Sequence, residues 1–183
     1  MAYGVLIESM IQAKNIDALN RSVVSESDIA GGGLIALTAP TAQGNDVWTA
    51  AKPAVGSLGE LWIAYNPEVK YTKVNGKVYA GLSADPRDYT NLAGEIFDAF
   101  KPKIGDEIVI TVDAIDSTSA SAVAGDILES KAGQSTFTRV ASATGATEGS
   151  TAFKIEWKGT IDFPKAGVGV DKVVAFKAVC IQE

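Results

Sequence analysis

The stretch KIGDEIVITVDAI, residues 103–115, decides the fold class of this chain. Its apolar residues recur at every second position, which is the period of a half-buried β-strand. The residues on that apolar face are Ile108, Ile110, Val112 and Ala114. A Gly-Asp pair at 105–106 precedes the strand as a tight turn, and a second Gly-Asp pair at 125–126 opens a shorter apolar segment. We therefore expect strands that start from compact turns.

Turn residues divide the rest of the chain into short segments, which is typical of β structure. Asn75 and Gly76 give the strongest hairpin signal, because both residues accept the positive φ that a type I′ turn requires. Residues 69–74 and 77–82 would be the arms of this hairpin. Further strands are predicted at 31–37, 61–65, 127–129, 137–140, 153–157 and 168–181. The predicted fold is mainly β, with a β-barrel or β-sandwich body.

One short α-helix is predicted at about 91–100. Thr90 or Asn91 would be its N-cap, and Pro102 would terminate it. The residues that would share its apolar face are Leu92, Ala93, Ile96, Phe97 and Phe100.

We expect an extended N-terminal arm over residues 1–28 and a single β-rich domain over residues 29–183. The arm has no clean helical face, and it either adds to the sheet or becomes ordered on a neighbouring subunit. Its apolar residues Ile7, Ile11 and Leu19 are candidate contacts with a partner protein or with another subunit. Deletion of the first 25 residues would then leave a folded body.

The loop predicted over residues 38–59 is a second candidate contact surface. It carries few charges and holds Val47, Trp48 and Val55, which expose apolar surface unless another subunit covers them. The aromatic residues in strand context are predicted to be core residues: Trp62, Tyr65 and Trp157.

The composition excludes several classes of function. Across 183 residues the chain has 16 Lys and Arg against 22 Asp and Glu, a net charge of −6, so it offers no basic surface for nucleic acid. It has no histidine, and no Ser or carboxylate spacing matches a nucleophilic centre or a calcium loop. We therefore expect that it is not an enzyme and binds no cofactor or metal.

Residues 1–11 lack the basic start and apolar centre of a signal peptide, and no apolar run approaches the length that spans a bilayer. We therefore expect no membrane partner. The single cysteine, Cys180, lies in an apolar stretch and is predicted to be a buried, unreactive thiol.

Two longer stretches carry a family resemblance: LGELWIAYNPEVKY at residues 58–71 and DPRDYTNLAGEIFDAFKPKIGDEIVITVDAI at residues 85–115. Their order is a strand that ends in a Pro-Glu-Val step, then a Tyr-Thr-Asn helix start, and then a Gly-Asp strand. This order resembles the auxiliary or decoration proteins of tailed-bacteriophage heads. Residues 125–182 look similar in layout, with a second Gly-Asp strand, a low-complexity loop and two closing strands.

The resemblance implies a virion structural protein that is made in the host cytoplasm and lies on the capsid surface. Its partner would be the lattice of the major capsid protein, which it would stabilise, and it would bind as a monomer or as a homo-oligomer such as a trimer. A tail tube or neck protein, which would form rings, is a second interpretation. A carbohydrate-binding β module, with Trp48 and Tyr79 as a sugar platform, is a third.

Overall fold

The computed structural model describes residues 2–12, 19–41, 46–54, 59–68, 70–74, 77–81, 83–117, 121–164 and 169–183, with only the backbone at 71–74 and 78. The described strands are β1 (Asn20–Ser25), β2 (Leu34–Pro40), β3 (Val47–Ala51), β4 (Trp62–Ala64), β5 (Tyr71–Val74), β6 (Lys77–Ala80), β7 (Ile96–Phe100), β8 (Glu107–Thr111), β9 (Ile127–Glu129), β10 (Thr138–Val140), β11 (Ala152–Pro164) and β12 (Val170–Gln182). The helical segments described in full are short 3-10 turns: Glu8–Met10, Pro86–Asp88 and Val112–Ala114. The prediction of a mainly β fold is confirmed.

Five strands close into a barrel in the order β1-β3-β2-β4-β7, in which β1 and β3 are parallel and the other described neighbours are antiparallel. A five-stranded antiparallel sheet has the order β10-β9-β11-β12-β8. The predicted hairpin arms are present as a separate pair, β5 and β6, in which Val74 faces Lys77. Its turn residues, Asn75 and Gly76, lie outside the described residues. The body is thus a closed barrel with a second sheet.

The barrel is apolar on both faces where it meets the sheet. In β2, β4 and β7, consecutive residues point to opposite faces, as the period of a strand requires. Each of these three strands places one residue in the barrel interior: Ile35, Ala64 and Ala99. The neighbour of each packs in a larger core that includes the sheet: Leu34, Ile63 and Phe100. Burial on both faces explains the continuous apolar runs at 34–37 and 61–65, whereas β7 is interrupted by the exposed Asp98.

The turn at Gly105 and Asp106 docks β8 against β12. Gly105 has φ +92°, a left-handed conformation that costs a residue with a Cβ about 1–2 kcal/mol. Its N–H donates to the Cys180 carbonyl at 2.8 Å, and the Cys180 N–H donates to the Asp106 carbonyl at 2.8 Å. The Asp106 carboxylate accepts the Lys103 N–H at 2.8 Å. Cys180 is 1% exposed and burial raises the pKa of its thiol to about 11, so the predicted buried thiol is confirmed.

The second Gly-Asp pair repeats this arrangement for β9. The Gly125 N–H donates to the Ile155 carbonyl at 2.8 Å, and the Ile155 N–H donates to the Asp126 carbonyl at 2.9 Å. Burial acts to raise the pKa of Asp126, but hydrogen bonds from Arg139 and from the Val123 and Ser142 backbone N–H groups outweigh burial and hold the pKa below its usual range. Two equivalent turns therefore attach one strand to each arm of the β11–β12 hairpin.

The N-terminal segment, residues 2–12, lies along the outer edge of β8. The Ile7 N–H donates to the Val109 carbonyl at 2.8 Å, and the Thr111 N–H donates to the Val5 carbonyl at 3.0 Å. Leu6 is 1% exposed in the larger core. The segment therefore extends the sheet by backbone hydrogen bonds, which is one of the two expectations for the arm.

The predicted arm also contains a barrel strand. β1 pairs with β3 and β7, and Val23 packs in the barrel interior. Deletion of the first 25 residues would remove β1 and open the barrel, so the structure does not support the expectation that this truncation leaves a folded body. A domain boundary at residue 28 stays a prediction.

The prediction of an α-helix at about 91–100 is wrong. The structure has a turn followed by β7 (Ile96–Phe100). Ile96 is 64% exposed and Phe97 is 7% exposed, so these residues alternate between two faces instead of sharing one. Gly94 weakens a helix at this point, the Ile-Phe pair favours a strand, and pairing with β1 and β4 completes the barrel.

The prediction that Trp157 is a core residue is also wrong. The register of β11 shifts between Ile155 and Trp157, which is the signature of a β-bulge and breaks the strict alternation seen in the sequence. Trp157 is 46% exposed, and its indole lies over Gly159, where a methyl group would overlap it. The bulge thus moves the indole to the surface of the strand.

Arg87 joins three parts of the molecule. Its guanidinium lies 2.6 Å from Asp85 and 2.6 Å from Asp171 of β12, and 5.6 Å from the centroid of the Phe163 ring in β11. Its backbone carbonyl accepts the Tyr3 N–H at 2.9 Å. The side chain is 15% exposed, so these ion pairs are partly shielded from water. Arg87 therefore ties the β11–β12 hairpin to the N-terminal segment and to the loop before β7.

Two carboxyl groups near Arg87, those of Asp85 and Asp113, have shifted pKa values. The hydrogen bond from Arg87 outweighs burial and holds the pKa of Asp85 below its usual range. For Asp113, burial is the larger effect and raises the pKa, although the Arg87 charge acts against it. Because Asp85 ionises more readily in the folded chain than in the unfolded chain, it stabilises the fold above about pH 4, and this contribution is lost as the pH falls through its folded pKa.

We expect Leu6→Ala to lower the free energy of unfolding by about 2–5 kcal/mol, because it leaves a cavity in the core. Equilibrium urea unfolding measures this change. Met10→Ala is the matched control, since Met10 lies in the same segment but is 52% exposed. It should change stability by less than about 0.5 kcal/mol. Equally small effects of the two variants would contradict the burial of the N-terminal segment.

We expect Arg87→Leu to lower the free energy of unfolding by about 2 kcal/mol or more at neutral pH, because it leaves partly buried carboxylates without their partner. The pKa of Asp85 should then rise, so the gain in stability between about pH 3 and about pH 6 should be smaller than in the parent chain. Urea unfolding at both pH values tests this. An unchanged pH dependence would contradict the role given to Arg87.

Candidate functional site

The candidate site is a cleft between the N-terminal segment, the end of β4 and the loop that enters β7. It has a volume of about 530 Å³. Its described lining comprises Glu8, Ser22 of β1, residues 65–68 after β4, and seven residues between positions 90 and 98. We call it the acidic cleft because of the charges described below.

Asn66 fixes one wall of the acidic cleft. Its side-chain Oδ1 accepts the Leu6 N–H at 3.0 Å, and its Nδ2 donates to the Leu6 carbonyl at 2.6 Å, so the amide pairs with the backbone as a neighbouring strand would. The Asn66 N–H donates to Glu8 Oε1 at 3.0 Å. Gly31 packs against the same amide, and a methyl group there would overlap Oδ1. The N-terminal segment and the end of β4 are thus locked together.

Asn91 fixes the opposite wall. It is 3% exposed, and its Nδ2 donates to the Tyr65 carbonyl at 2.9 Å. Its backbone exchanges hydrogen bonds with Ile29, and the Tyr65 N–H donates to the Asp98 carbonyl at 2.9 Å. The Tyr65 ring packs on Phe100 with 5.1 Å between centroids. Both walls are therefore built from hydrogen-bonded backbone, and the shape of the cleft is set before any ligand arrives.

Carboxylates dominate the electrostatics of the acidic cleft. Glu8, Glu68, Glu95 and Asp98 line it, and none of the described lining residues is Lys or Arg. Asp98 accepts a hydrogen bond from Ser22 Oγ at 2.8 Å. Glu68 and Glu95 are exposed, and no Lys or Arg in the described ranges forms an ion pair with either. The cleft is a region of concentrated negative potential.

The remaining lining is apolar apart from one hydroxyl group. Leu92 and Pro67 border the cleft, and Ile96 is 64% exposed beside it. Thr90 is 6% exposed, and its Oγ1 is buried without a hydrogen-bond partner among the described residues. A buried hydroxyl group without a partner costs about 1–3 kcal/mol. The acidic cleft therefore combines charge, apolar surface and an unsatisfied polar atom.

The candidate contact residues of the arm lie outside this lining. Ile7 is half-buried against the cluster of Val5 and Phe163, and Ile11 is half-buried against the larger core. Leu19 is half-buried directly before β1, and its carbonyl accepts the Lys101 N–H at 3.0 Å. Ile7 and Ile11 thus use part of their apolar surface within the chain.

The candidate contact residues of the loop fall in the barrel wall. Val47 and Trp48 begin β3, both half-buried, and Trp48 packs against the barrel core. Because β1 and β3 are parallel and Ser22 pairs with Val47, Leu19 and Val47 lie toward the same end of the barrel. Val55 lies outside the described residues.

Sequence reasoning missed the acidic cleft. Its carboxylates stand at positions 8, 68, 95 and 98, and no short spacing connects them. The misassigned helix also placed Glu95 and Ile96 on the wrong kind of element. The available signal was the polar Asn-Pro-Glu step at 66–68, directly after a buried strand, since loops at strand ends often carry function.

No cluster of three or more metal-ligating side chains suited to a metal ion occurs in the described ranges. In the same ranges, no helix has the length and apolar character needed to cross a bilayer. Neither a protein-family model, nor a curated protein, nor a solved structure matches the chain.

We expect Asn66→Ala to lower the free energy of unfolding by about 1–3 kcal/mol, because the Leu6 N–H loses its acceptor and the Leu6 carbonyl keeps only the hydrogen bond from the Glu8 N–H at 3.1 Å. Asn20→Ala is the control, since the contact of Asn20 with the Tyr65 hydroxyl is long at 3.4 Å. It should cost less than about 0.5 kcal/mol. Urea unfolding compares the two variants, and equal losses would contradict the role of Asn66 in holding the cleft.

Proposed function

We propose that this chain is a virion structural protein that decorates the head of a tailed bacteriophage by binding the lattice of the major capsid protein. One observation carries the proposal. The two stretches with the family resemblance, residues 58–71 and 85–115, supply every described lining residue of the acidic cleft except Glu8 and Ser22. The stretches that carry the family pattern and the acidic cleft therefore coincide.

The construction of the site supports a binding role. Its walls are fixed by the hydrogen bonds of Asn66 and Asn91, so little conformational entropy is lost when a partner docks. A decorating protein acts in many copies on one shell. Modest free energies of binding for each copy then act together, because the lattice is released only when many contacts break.

The half-buried residues at the end of the barrel give this proposal a second contact surface. Leu19 and Val47 lie toward the same end, and Trp48 follows Val47 in β3. Their exposed parts are available to a neighbouring capsid protein or to a second copy of this chain. The sugar-platform interpretation requires Trp48 and Tyr79 to act together. They lie in different sheets, Trp48 in the barrel and Tyr79 in the separate β5–β6 pair.

The test is co-sedimentation of the purified chain with purified phage heads that lack it. We expect saturable binding, and we expect Ile96→Glu to weaken it by about tenfold or more, because the variant adds a charge at an exposed apolar position of the cleft. Ile104→Glu is the matched control: Ile104 is 59% exposed, does not line the cleft, and should leave binding unchanged.

Failure of the parent chain to sediment with heads would overturn the capsid proposal. Ring formation by the chain alone, with binding to tails instead of heads, would favour the tail or neck interpretation. If Ile96→Glu and Ile104→Glu weaken binding to heads equally, the acidic cleft is not the surface that binds the capsid.

A further inference from the structure

We propose that the acidic cleft binds lysine or arginine side chains presented by an extended segment of a partner protein. This inference depends on the proposed function only for the partner's identity, because the chemistry of the cleft is tested below with a peptide alone.

Charge complementarity is the first argument. Four carboxylates line the cleft, and the described lining contributes no Lys or Arg to balance them. Glu68 and Glu95 are exposed and are not ion-paired to a Lys or Arg of the described ranges. Their charges therefore stay available to a ligand, and a concave surface of one sign attracts the opposite charge more strongly than a flat one.

The Thr90 hydroxyl is a second and independent argument. Thr90 is 6% exposed and lines the cleft, yet its Oγ1 has no hydrogen-bond partner among the described residues. A hydroxyl oxygen accepts hydrogen bonds, and ammonium and guanidinium groups only donate them. A basic side chain in the cleft therefore supplies donors for the carboxylates, and also for this buried atom once the Thr90 side chain turns toward the cleft.

The apolar lining fits the rest of such a side chain. Leu92, Pro67 and Ile96 offer apolar surface beside the carboxylates. Lysine and arginine place their methylene stems on surfaces of this kind while the charged end reaches polar groups. The cleft volume of about 530 Å³ is in the range of sites that bind a drug-sized ligand, and a concave site of this size favours an extended segment over a flat protein surface.

The test uses an acetylated and amidated peptide of alternating lysine and alanine, titrated into the full chain at about 20 mM salt and followed by backbone amide chemical shifts. We expect shifts concentrated at residues 65–68 and 90–98. The double variant Glu68→Gln with Glu95→Gln should raise the dissociation constant about fivefold or more. The control Glu148→Gln with Asp162→Asn, which removes two exposed carboxylates elsewhere, should change it by less than about twofold.

Thr90→Val supplies a readout that net charge does not affect. Valine has the shape of threonine without the hydroxyl group. The variant should therefore keep or raise the free energy of unfolding, and it should raise the dissociation constant of the peptide about threefold or more. Shifts spread over all acidic surfaces, or equal weakening by the two double variants, would overturn the proposal as non-specific attraction. Peptide binding at the cleft without head binding would leave this inference standing and remove the capsid role.

Discussion

Leu6 is buried where the barrel and the sheet meet, and its backbone N–H and C=O are both hydrogen-bonded to the side chain of Asn66. This contact joins three elements at once: the N-terminal segment, the edge of β8 and the end of β4. The acidic cleft depends on it, because the same Asn66 positions Glu8 on one wall. Main-chain pairing along the edge of β8 would by itself hold the N-terminal segment, but it would not position the Glu8 carboxylate.

Much of the fold is predictable from local sequence chemistry. The Gly-Asp pairs mark the starts of β8 and β9 because a turn with positive φ needs glycine and an acceptor side chain nearby. The hairpin arms around 75–76 follow from turn geometry. These signals work because each is decided within a few residues of the chain.

The errors arose where distant partners decide the structure. Residues 96–100 have apolar positions that fit a helix or a strand, and pairing with β1 and β4 selects the strand. The bulge that exposes Trp157 coincides with the docking of the second Gly-Asp turn on Ile155, which the alternation within β11 does not reveal. The carboxylates of the cleft come from three separate parts of the chain, so only the folded structure brings them together.

The proposed head-decoration role rests on a rigid, negatively charged surface built largely from residues 58–71 and 85–115. Its most direct test is stoichiometry in intact particles, purified on a density gradient, with this chain quantified against the major capsid protein. The account predicts roughly one copy for each capsid subunit, or roughly one for each three, as lattice symmetry requires. A handful of copies per particle, or complete absence from particles, would contradict it.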